Sequence, residues 1–302
     1  GDVYKRQVMD PSKVDIYSFA NEKEIARSFS KRFQWEMVLI GLGQAFVFLS
    51  LWPLVILNII PLWIAAPISC LCALFAYLPS HEAQHGNYSR GKADKRWIDS
   101  LVSHITLIPL MFPHHIMRAT HMKHHAYTND PHKDVDYDTA SSNSLLEVFL
   151  RSNESTAKYD KYLEVFKDDK NFVKSFEKGA LVGLAYRATL MTLVIFFPLE
   201  ALFLWWLPSK VGVMYLSTFF SWYPHYQMET GRYKDTRFWH HLLPRYINHS
   251  MQLHFVHHLH PGIGHFDEPK AIEALKPFLI EKGVPGADQI PDRVSYNPLI
   301  KF

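Results

Sequence analysis

The chain has 302 residues, a net charge of +3 at neutral pH and 18 histidines. This charge is too small to suggest a nucleic-acid partner, and the two cysteines, Cys70 and Cys72, lie in an apolar stretch, which indicates packing rather than a disulfide framework. The mean hydropathy of −0.09 hides a segregation. Residues 36–80 contain a single charged side chain, Glu36, whereas residues 81–178 are rich in His, Lys and Asp.

The N-terminal lead-in, residues 1–34, is polar and basic. It opens on GDVYKRQ, which resembles a translated sequencing adapter, so we expect residues 1–8 to be artefactual and Met9 to be the natural start. No pattern of a cleavable signal peptide opens the chain. We expect the lead-in to lie in the cytoplasm, ahead of one membrane domain that covers residues 35–302.

Two apolar stretches follow the lead-in, from Trp35 through Ile60 and from Leu62 through Leu78. A helix that spans a bilayer takes about 20 apolar residues, so these stretches predict two passes. A second apolar region, residues 180–223, is long enough for two more. The sequence therefore predicts an all-α integral membrane protein with about four transmembrane helices.

The turn between the last two passes is predicted either at residues 198–200 or at residues 208–210. Between the apolar regions, residues 81–178 predict a helical layer, in which the charged segment 141–178 is a cap or an insertion. Lys and Arg are frequent in the lead-in and in this layer but absent from the turn near residues 58–61. The positive-inside rule therefore predicts that the layer and both termini face the cytoplasm.

Histidines cluster at three places with spacings that suit metal binding. The first cluster is His81-Glu-Ala-Gln-His85, whose two imidazoles share one face of a helix. Eight clustered histidines are too many for one zinc ion, which takes four ligands, so their number favours two metal ions. Imidazole suits iron, copper, nickel and zinc alike, and the residues alone leave the metal open. The second and third clusters repeat the spacing HxxHH at His121, His124 and His125 and at His254, His257 and His258.

In the order and form of these boxes, the chain resembles the membrane fatty acid desaturase superfamily, from about Trp35 to the C-terminus. Members carry one more ligand histidine ahead of the third box, and His225 in Trp-Tyr-Pro-His225 occupies that position. The resemblance implies an oxidoreductase that uses O2 at two iron ions to attack unactivated C–H bonds of a lipid. It also implies a separate electron donor of the ferredoxin or cytochrome b5 type. The implied ligands are His81, His85, His121, His124, His125, His225, His254, His257 and His258.

Finer features are similar to the β-carotene ring hydroxylases of this superfamily. They include the run HHAYTNDPHKDVD from His124 to Asp136, the Tyr-Pro-His225 element, and a tail of HHLHPGIGHF followed by LKPFLIEKGVP. These features imply hydroxylation of a carotenoid β-ring, with fatty acyl desaturation or hydroxylation as the alternative and ring ketolation as a lesser one. One departure is Glu82, where those hydroxylases usually have Asp.

Metal-bound histidines usually donate their second N–H to a carboxylate or carbonyl group. The nearest candidates for this role are Glu82, Asp130, Asp134 and Asp136. The histidines outside the boxes are interpreted as structural or surface residues, with His249 the strongest exception because it lies near the third box. They are His104, His114, His115, His132, His240, His241, His249, His260 and His265.

Two other classes of protein compete with this interpretation. HEAQH also satisfies the zinc-protease motif H-E-x-x-H, with Glu82 as general base, but a protease leaves both HxxHH boxes unexplained. A metal transporter or sensor is the second alternative, although transporter ligands lie within the spans near the midplane. No GxGxxG motif occurs, so we expect no NAD(P)H site in this chain.

Overall fold

The computed structural model describes residues 17–153, 155–239 and 249–294, with the backbone alone described for residues 155–159. Within these ranges all regular secondary structure is helical, which confirms the predicted all-α class. Three helical stretches of the described chain are long and apolar enough to cross a membrane. They are Trp35–Ile56, Leu62–Gln84 and Lys170–Phe196.

The first part of the chain forms one short helix and two membrane-length stretches. The short helix, α1 (Phe19–Phe29), is capped by Ser18, whose hydroxyl oxygen accepts a hydrogen bond of 3.3 Å from the backbone N–H of Asn21. It is followed by α2 (Trp35–Ile56), α3 (Leu62–Phe75) and α4 (Tyr77–Gln84). Gly41 lets α2 approach α4 closely, since a Cβ there would lie 2.8 Å from Cβ of Pro79.

The polar middle of the chain folds as a layer of helices, in agreement with the sequence. One boundary differs from the prediction, because α10 (Lys170–Phe196) begins inside the segment that was predicted as a cap up to residue 178. Asp169 starts this helix by accepting hydrogen bonds from the backbone N–H groups of Asn171 and Phe172. The helices of the layer are α5 (Arg96–Thr106), α6 (His114–Tyr127), α7 (Tyr137–Ala140), α8 (Leu145–Ser152) and α9 (Ser155–Val165).

The predicted fourth pass is not confirmed as one long helix. Its residues form α11 (Pro198–Ala201), α12 (Leu207–Leu216) and α13 (Tyr223–His225). Two π-helical turns, Leu202–Trp206 and Ser217–Trp222, join these helices. The break between α10 and α11 falls at Phe197, beside the first of the two turn positions that the sequence allowed.

The surface of the long helices is apolar and exposed. Phe46, Trp63 and Ile195 expose 73%, 75% and 72% of their surface. In α10, only 6% of the most apolar 18-residue stretch is buried. Large contiguous apolar surfaces mark contact with another molecule or with lipid. With three helices of membrane-spanning length, this surface identifies the chain as a membrane protein.

The last described part carries α14 (His254–Leu259) and α15 (Glu268–Glu281). These helices enclose a core with Phe255, Val256, Ile272 and Leu275, all fully buried. The N-terminal α1 packs against α15 and closes this core with Ala26. His240 and His241, which the sequence assigned to no box, lie outside the described residues.

Candidate metal centre

The three histidine boxes lie on three different helices of the described chain. His81 lies in α4 and His85 directly follows it, so the first box ends the second membrane-length stretch. The second box lies in the C-terminal half of α6, and the third occupies most of α14. His225 ends α13, the last segment of the helical run that begins at Pro198.

All nine histidines that the sequence proposed as ligands come together in two groups. Within each group, one ring nitrogen of every histidine lies within 4.8 Å of those of the others. The first group has five members and the second has four. They are His81, His85, His121, His125 and His257 in the first, and His124, His225, His254 and His258 in the second.

Each HxxHH box is divided between the two groups. In the second box the outer pair, His121 and His125, joins the first group, while His124 joins the second. The third box is divided in the opposite sense, with His257 in the first group and its outer pair in the second. Adjacent residues of a helix point about 100° apart, so one box supplies nitrogens to two neighbouring sites.

The distances between Nε2 atoms within each group suit ligation of a common ion. His85 and His121 are 2.8 Å apart, His121 and His125 are 3.2 Å apart, and His125 and His257 are 3.0 Å apart. Two nitrogens about 2.1 Å from one metal ion, at a right angle, are about 3.0 Å apart. In the second group the Nε2 atoms of His254 and His258 are separated by 3.1 Å.

Two buried histidines test whether a metal fits these groups. Both ring nitrogens of His81, and Nε2 of His225, are buried without a hydrogen-bond partner among the described residues. A buried polar atom without a partner costs free energy. A metal ion in each group would satisfy one ring nitrogen of His81 and Nε2 of His225, so the residues present fit a centre of two metal ions.

Burial keeps most of these imidazoles neutral, as metal binding requires. It lowers the pKa of His121, His254 and His257 well below the ordinary value. His124 is the exception. Burial alone would lower its pKa, but the charge of Asp134 and the hydrogen bond to it raise the pKa to about 9.

Asp134 is fully buried and fixes the orientation of His124. Its Oδ1 lies 2.8 Å from Nδ1 of His124, so the ring donates Nδ1–H to the carboxylate and turns Nε2 toward the second group. The other carboxylate oxygen accepts a hydrogen bond of 2.7 Å from the backbone N–H of Asn129. A metal ion on Nε2 would replace the second proton that the carboxylate otherwise stabilises.

The other acids that the sequence proposed make different contacts. Glu82 is buried and accepts a hydrogen bond of 3.0 Å from the side-chain amide of Asn87. Asp130 closes a surface turn by accepting from the backbone N–H groups of His132 and Lys133. Asp136 accepts a hydrogen bond of 3.3 Å from the hydroxyl of Ser221. Asp134 is therefore the acid whose contact with a clustered histidine the structure defines.

The backbone carbonyl of Asp235 supports the centre and was missed by the sequence analysis. It accepts a hydrogen bond of 3.0 Å from Nδ1 of His225, and a second one of 2.8 Å from the side-chain amide of Asn129. Asn129 has a left-handed backbone, with φ of 64°, which Asn tolerates better than most residues. The Asn-Asp-Pro turn that begins at Asn129 could have indicated the role of Asn129. The role of the Asp235 carbonyl could not be predicted, because every residue has a backbone carbonyl.

His249 lies outside both groups, in an aromatic environment. Its ring centroid is 4.9 Å from that of Phe75, 5.2 Å from that of Tyr215 and 6.1 Å from that of Phe220. Burial lowers the pKa of His249 to about 3. The other described histidines that the sequence assigned to no box also lie outside the two groups. They are His104, His114, His115, His132, His260 and His265.

The grouping of the first box bears on the zinc-protease alternative. His81 and His85 share their group with three histidines from the other boxes. A catalytic zinc site has three protein ligands and an open position for water. The first box therefore forms part of a centre rich in histidine, rather than a three-ligand protease site.

Comparisons with known proteins point to one family. A sequence model of the family described as fatty acid desaturase matches residues 57–286. The chain is 25% identical to the sn-1 oleoyl-lipid 12-desaturase of Synechocystis sp., over 92% of this chain and 86% of that protein. It is 24% identical to the chloroplastic sn-2 acyl-lipid omega-3 desaturase (ferredoxin) of Helianthus annuus, over 85% of this chain and 63% of that protein. It is 23% identical to the sn-1 acyl-lipid omega-3 desaturase (ferredoxin) of Synechocystis sp., over 68% and 64% respectively.

Proposed function

The chain belongs to the fatty acid desaturase family, and on that premise we propose that it desaturates acyl chains of membrane lipids at a centre of two iron ions. The observation that carries the proposal is the division of nine histidines into two adjacent groups, which share the second and third boxes. A histidine-rich site for one structural ion would not need two such groups.

The histidines have the role of holding the metals. When bound, two irons supply the reductive activation of O2 that removes hydrogen from an unactivated carbon. The first group offers five nitrogens and the second offers four. The two groups are in direct contact, because the ring of His125 in the first group stacks on that of His258 in the second, with centroids 4.3 Å apart.

Three oxygen atoms keep imidazole rings of the second group in position. Asp134 holds the proton on Nδ1 of His124, and the carbonyl of Asp235 accepts from Nδ1 of His225. The hydroxyl of Thr128 lies 3.4 Å from Nδ1 of His258. Each contact leaves Nε2 as the nitrogen for a metal, and such contacts also raise the basicity of the ligand.

Aromatic side chains cover the first group and suit a lipid substrate. The rings of Tyr77 and Phe220 each have a centroid 5.8 Å from that of His81, and they pack on each other at 5.3 Å. Such a wall excludes water and accepts an apolar chain. The curated relatives are named for acyl-lipid desaturation, and these names support an acyl chain as the substrate.

Carotenoid ring hydroxylation is the second candidate function. It is favoured by the run from His124 to Asp136 and by the Pro-His225 element, which are similar to those of β-carotene ring hydroxylases. Both substrates are long, apolar and dissolved in the bilayer, so either suits the aromatic wall. The relatives favour the acyl chain, and the sequence runs favour the ring.

For the membrane topology, we propose that the metal centre faces the cytoplasm, with the helical run from Pro198 to His225 as a fourth pass. The support is the excess of Lys and Arg near the histidine boxes, including Lys92, Lys95 and Arg96, against the uncharged turn at residues 57–61. For the electron donor, we propose a separate protein of the ferredoxin type, since two relatives carry ferredoxin in their names.

Product analysis tests the proposed reaction. The chain is expressed in a host that makes β-carotene and a ferredoxin, and acyl chains and pigments are analysed together. We expect new double bonds in the acyl chains with the wild type and none with His257→Ala, which removes a first-group histidine. The purified wild type should carry about two irons per chain.

Other outcomes decide against acyl desaturation. Hydroxylated carotenoids with unchanged acyl chains would move the function to the second candidate. Full activity with iron far below two per chain would contradict the two-iron centre.

A further inference from the structure

The N-terminal helix α1 lies outside the part of the chain that the family model matches, which begins at residue 57. The sequence analysis treated it as part of a basic lead-in. In the structure, α1 buries Glu22 and Ala26, one helical turn apart, on the side that faces α15. Ala26 joins the apolar core beneath the third histidine box, whereas Glu22 places a carboxylate in the interior.

The buried carboxylate of Glu22 has three partners. It lies 2.8 Å from Nε2 of His260, accepts a hydrogen bond of 2.7 Å from the hydroxyl of Tyr233, and is 3.6 Å from the guanidinium of Arg232. Burial would raise the pKa of Glu22, but the hydrogen bonds from His260 and Tyr233 outweigh it and lower the pKa. A buried charge persists only when it is paired and hydrogen-bonded in this way.

His260 directly follows the helix of the third box, at a corner that three distant segments hold. The guanidinium of Arg232 donates to the carbonyl of Leu259 at 2.8 Å, and the amide of Asn87 donates to the carbonyl of Pro261 at 3.1 Å. Glu22 holds the corner from the third side through His260. Asn87 also binds Glu82 of the first box, so the corner joins the first and third boxes.

The helix that this corner terminates is short. It has six residues, His254–Leu259, and carries all three histidines of the third box. An isolated helix of this length is not stable by itself, so its orientation depends on tertiary contacts, among them those at its C-terminal end. A small rotation at the corner would move His257 away from the first group and His254 and His258 away from the second.

We infer that α1 is part of the metal-binding layer and that Glu22 is a positioning residue for the third histidine box. The inference rests on the proposed two-metal function. It assigns Glu22 no contact with metal or substrate. The carboxylate acts through His260, by fixing the corner from which the box helix runs back into the centre.

The test compares Glu22→Ala and Glu22→Gln with Glu24→Gln in the full-length protein, purified in detergent and loaded with 57Fe. Glu24 lies on the exposed side of the same helix, so its variant is the matched control. The measurements are the iron bound per chain, the rate of iron loss to a chelator, and the Mössbauer spectrum. We expect the chelator to remove iron from Glu22→Ala about tenfold or more faster than from the wild type, with altered quadrupole splitting.

The expected order of the iron-release rates would identify the carboxylate of Glu22 as the positioning group. Glu22→Gln keeps a carbonyl acceptor of similar shape and should lose iron at an intermediate rate, while Glu24→Gln should match the wild type. If Glu22→Ala fails to fold, Glu22→Gln is compared with the wild type instead. Equal melting temperatures of these two proteins would show that the substitution has not unfolded the chain. Wild-type release rates and spectra in both Glu22 variants would overturn the inference, whereas a wild type that binds no iron would overturn the proposed function instead.

Discussion

At the scale of single residues, Asp134 is the acid that most directly shapes the metal centre. Its carboxylate holds the proton on Nδ1 of His124 and binds the backbone N–H of Asn129. We expect Asp134→Asn to weaken metal binding about 10- to 100-fold, because the amide orients the ring less strongly and makes it a weaker base. Titration of the metal-free protein with Fe2+ under anaerobic conditions measures this change.

Asp130 provides the control for that substitution. It belongs to the same run from His124 to Asp136, but its carboxylate accepts hydrogen bonds from the backbone N–H groups of His132 and Lys133 at the surface. Asp130→Asn should therefore leave the iron affinity unchanged. Equal losses of affinity in the two variants would show that the whole turn, rather than the bond to His124, supports the centre.

At the scale of elements, a glycine where helices meet allows the apolar stretches to pack closely together. In α12, Gly212 lies close both to α3 and to the turn at Leu110. A Cβ there would lie 3.0 Å from the carbonyl oxygen of Ala73 in α3 and 2.4 Å from Cδ2 of Leu110. Gly212→Leu forces these segments apart, and such overpacking costs about 1–3 kcal/mol. We expect a lower melting temperature in detergent. Because the helical run from α12 leads to His225, we also expect weaker metal binding by the second group.

The matched control is Gly43→Leu in α2, where an added Cβ would meet no atom within 4 Å. Its side chain would face lipid or detergent, and Leu has a better helix propensity than Gly. The melting temperature of this variant should equal or exceed that of the wild type. A loss of stability at residue 43 as large as that at residue 212 would contradict the packing argument.

At the scale of the whole molecule, the two groups of histidines require that the ends of distant helices meet on one side of the membrane. The expected topology places Lys92 in the cytoplasm and Asn58 outside, and both side chains are exposed. Cysteines at these positions, in a chain with Cys70 and Cys72 replaced by Ser, report their side by reaction with an impermeant maleimide. We expect the cysteine at residue 58 to be labelled in intact cells, and the cysteine at residue 92 to be labelled only after the cells are permeabilised. The reverse pattern would contradict a cytoplasmic metal centre.

The sequence by itself determined the helical class and the eight histidines of the three boxes, whereas His225 was proposed from the resemblance to a family. Both follow from local rules, because long apolar stretches predict helices and residues four apart share one helix face. Segregation of charge also predicted the polar helical layer. The length of that layer was less well predicted, since a single cap at Asp169 decides where α10 begins.

Tertiary structure decided how the histidines are shared. The HxxHH spacing places three nitrogens near one another, but it does not say that His124 and His257 leave their neighbours for the other group. That division depends on contacts between residues far apart in the chain, such as His125 and His257, which are 132 positions apart. The same reason applies to Glu22, whose partner His260 is 238 positions away. Local spacing fixes which residues can act together, whereas the packing of remote segments fixes which of them meet.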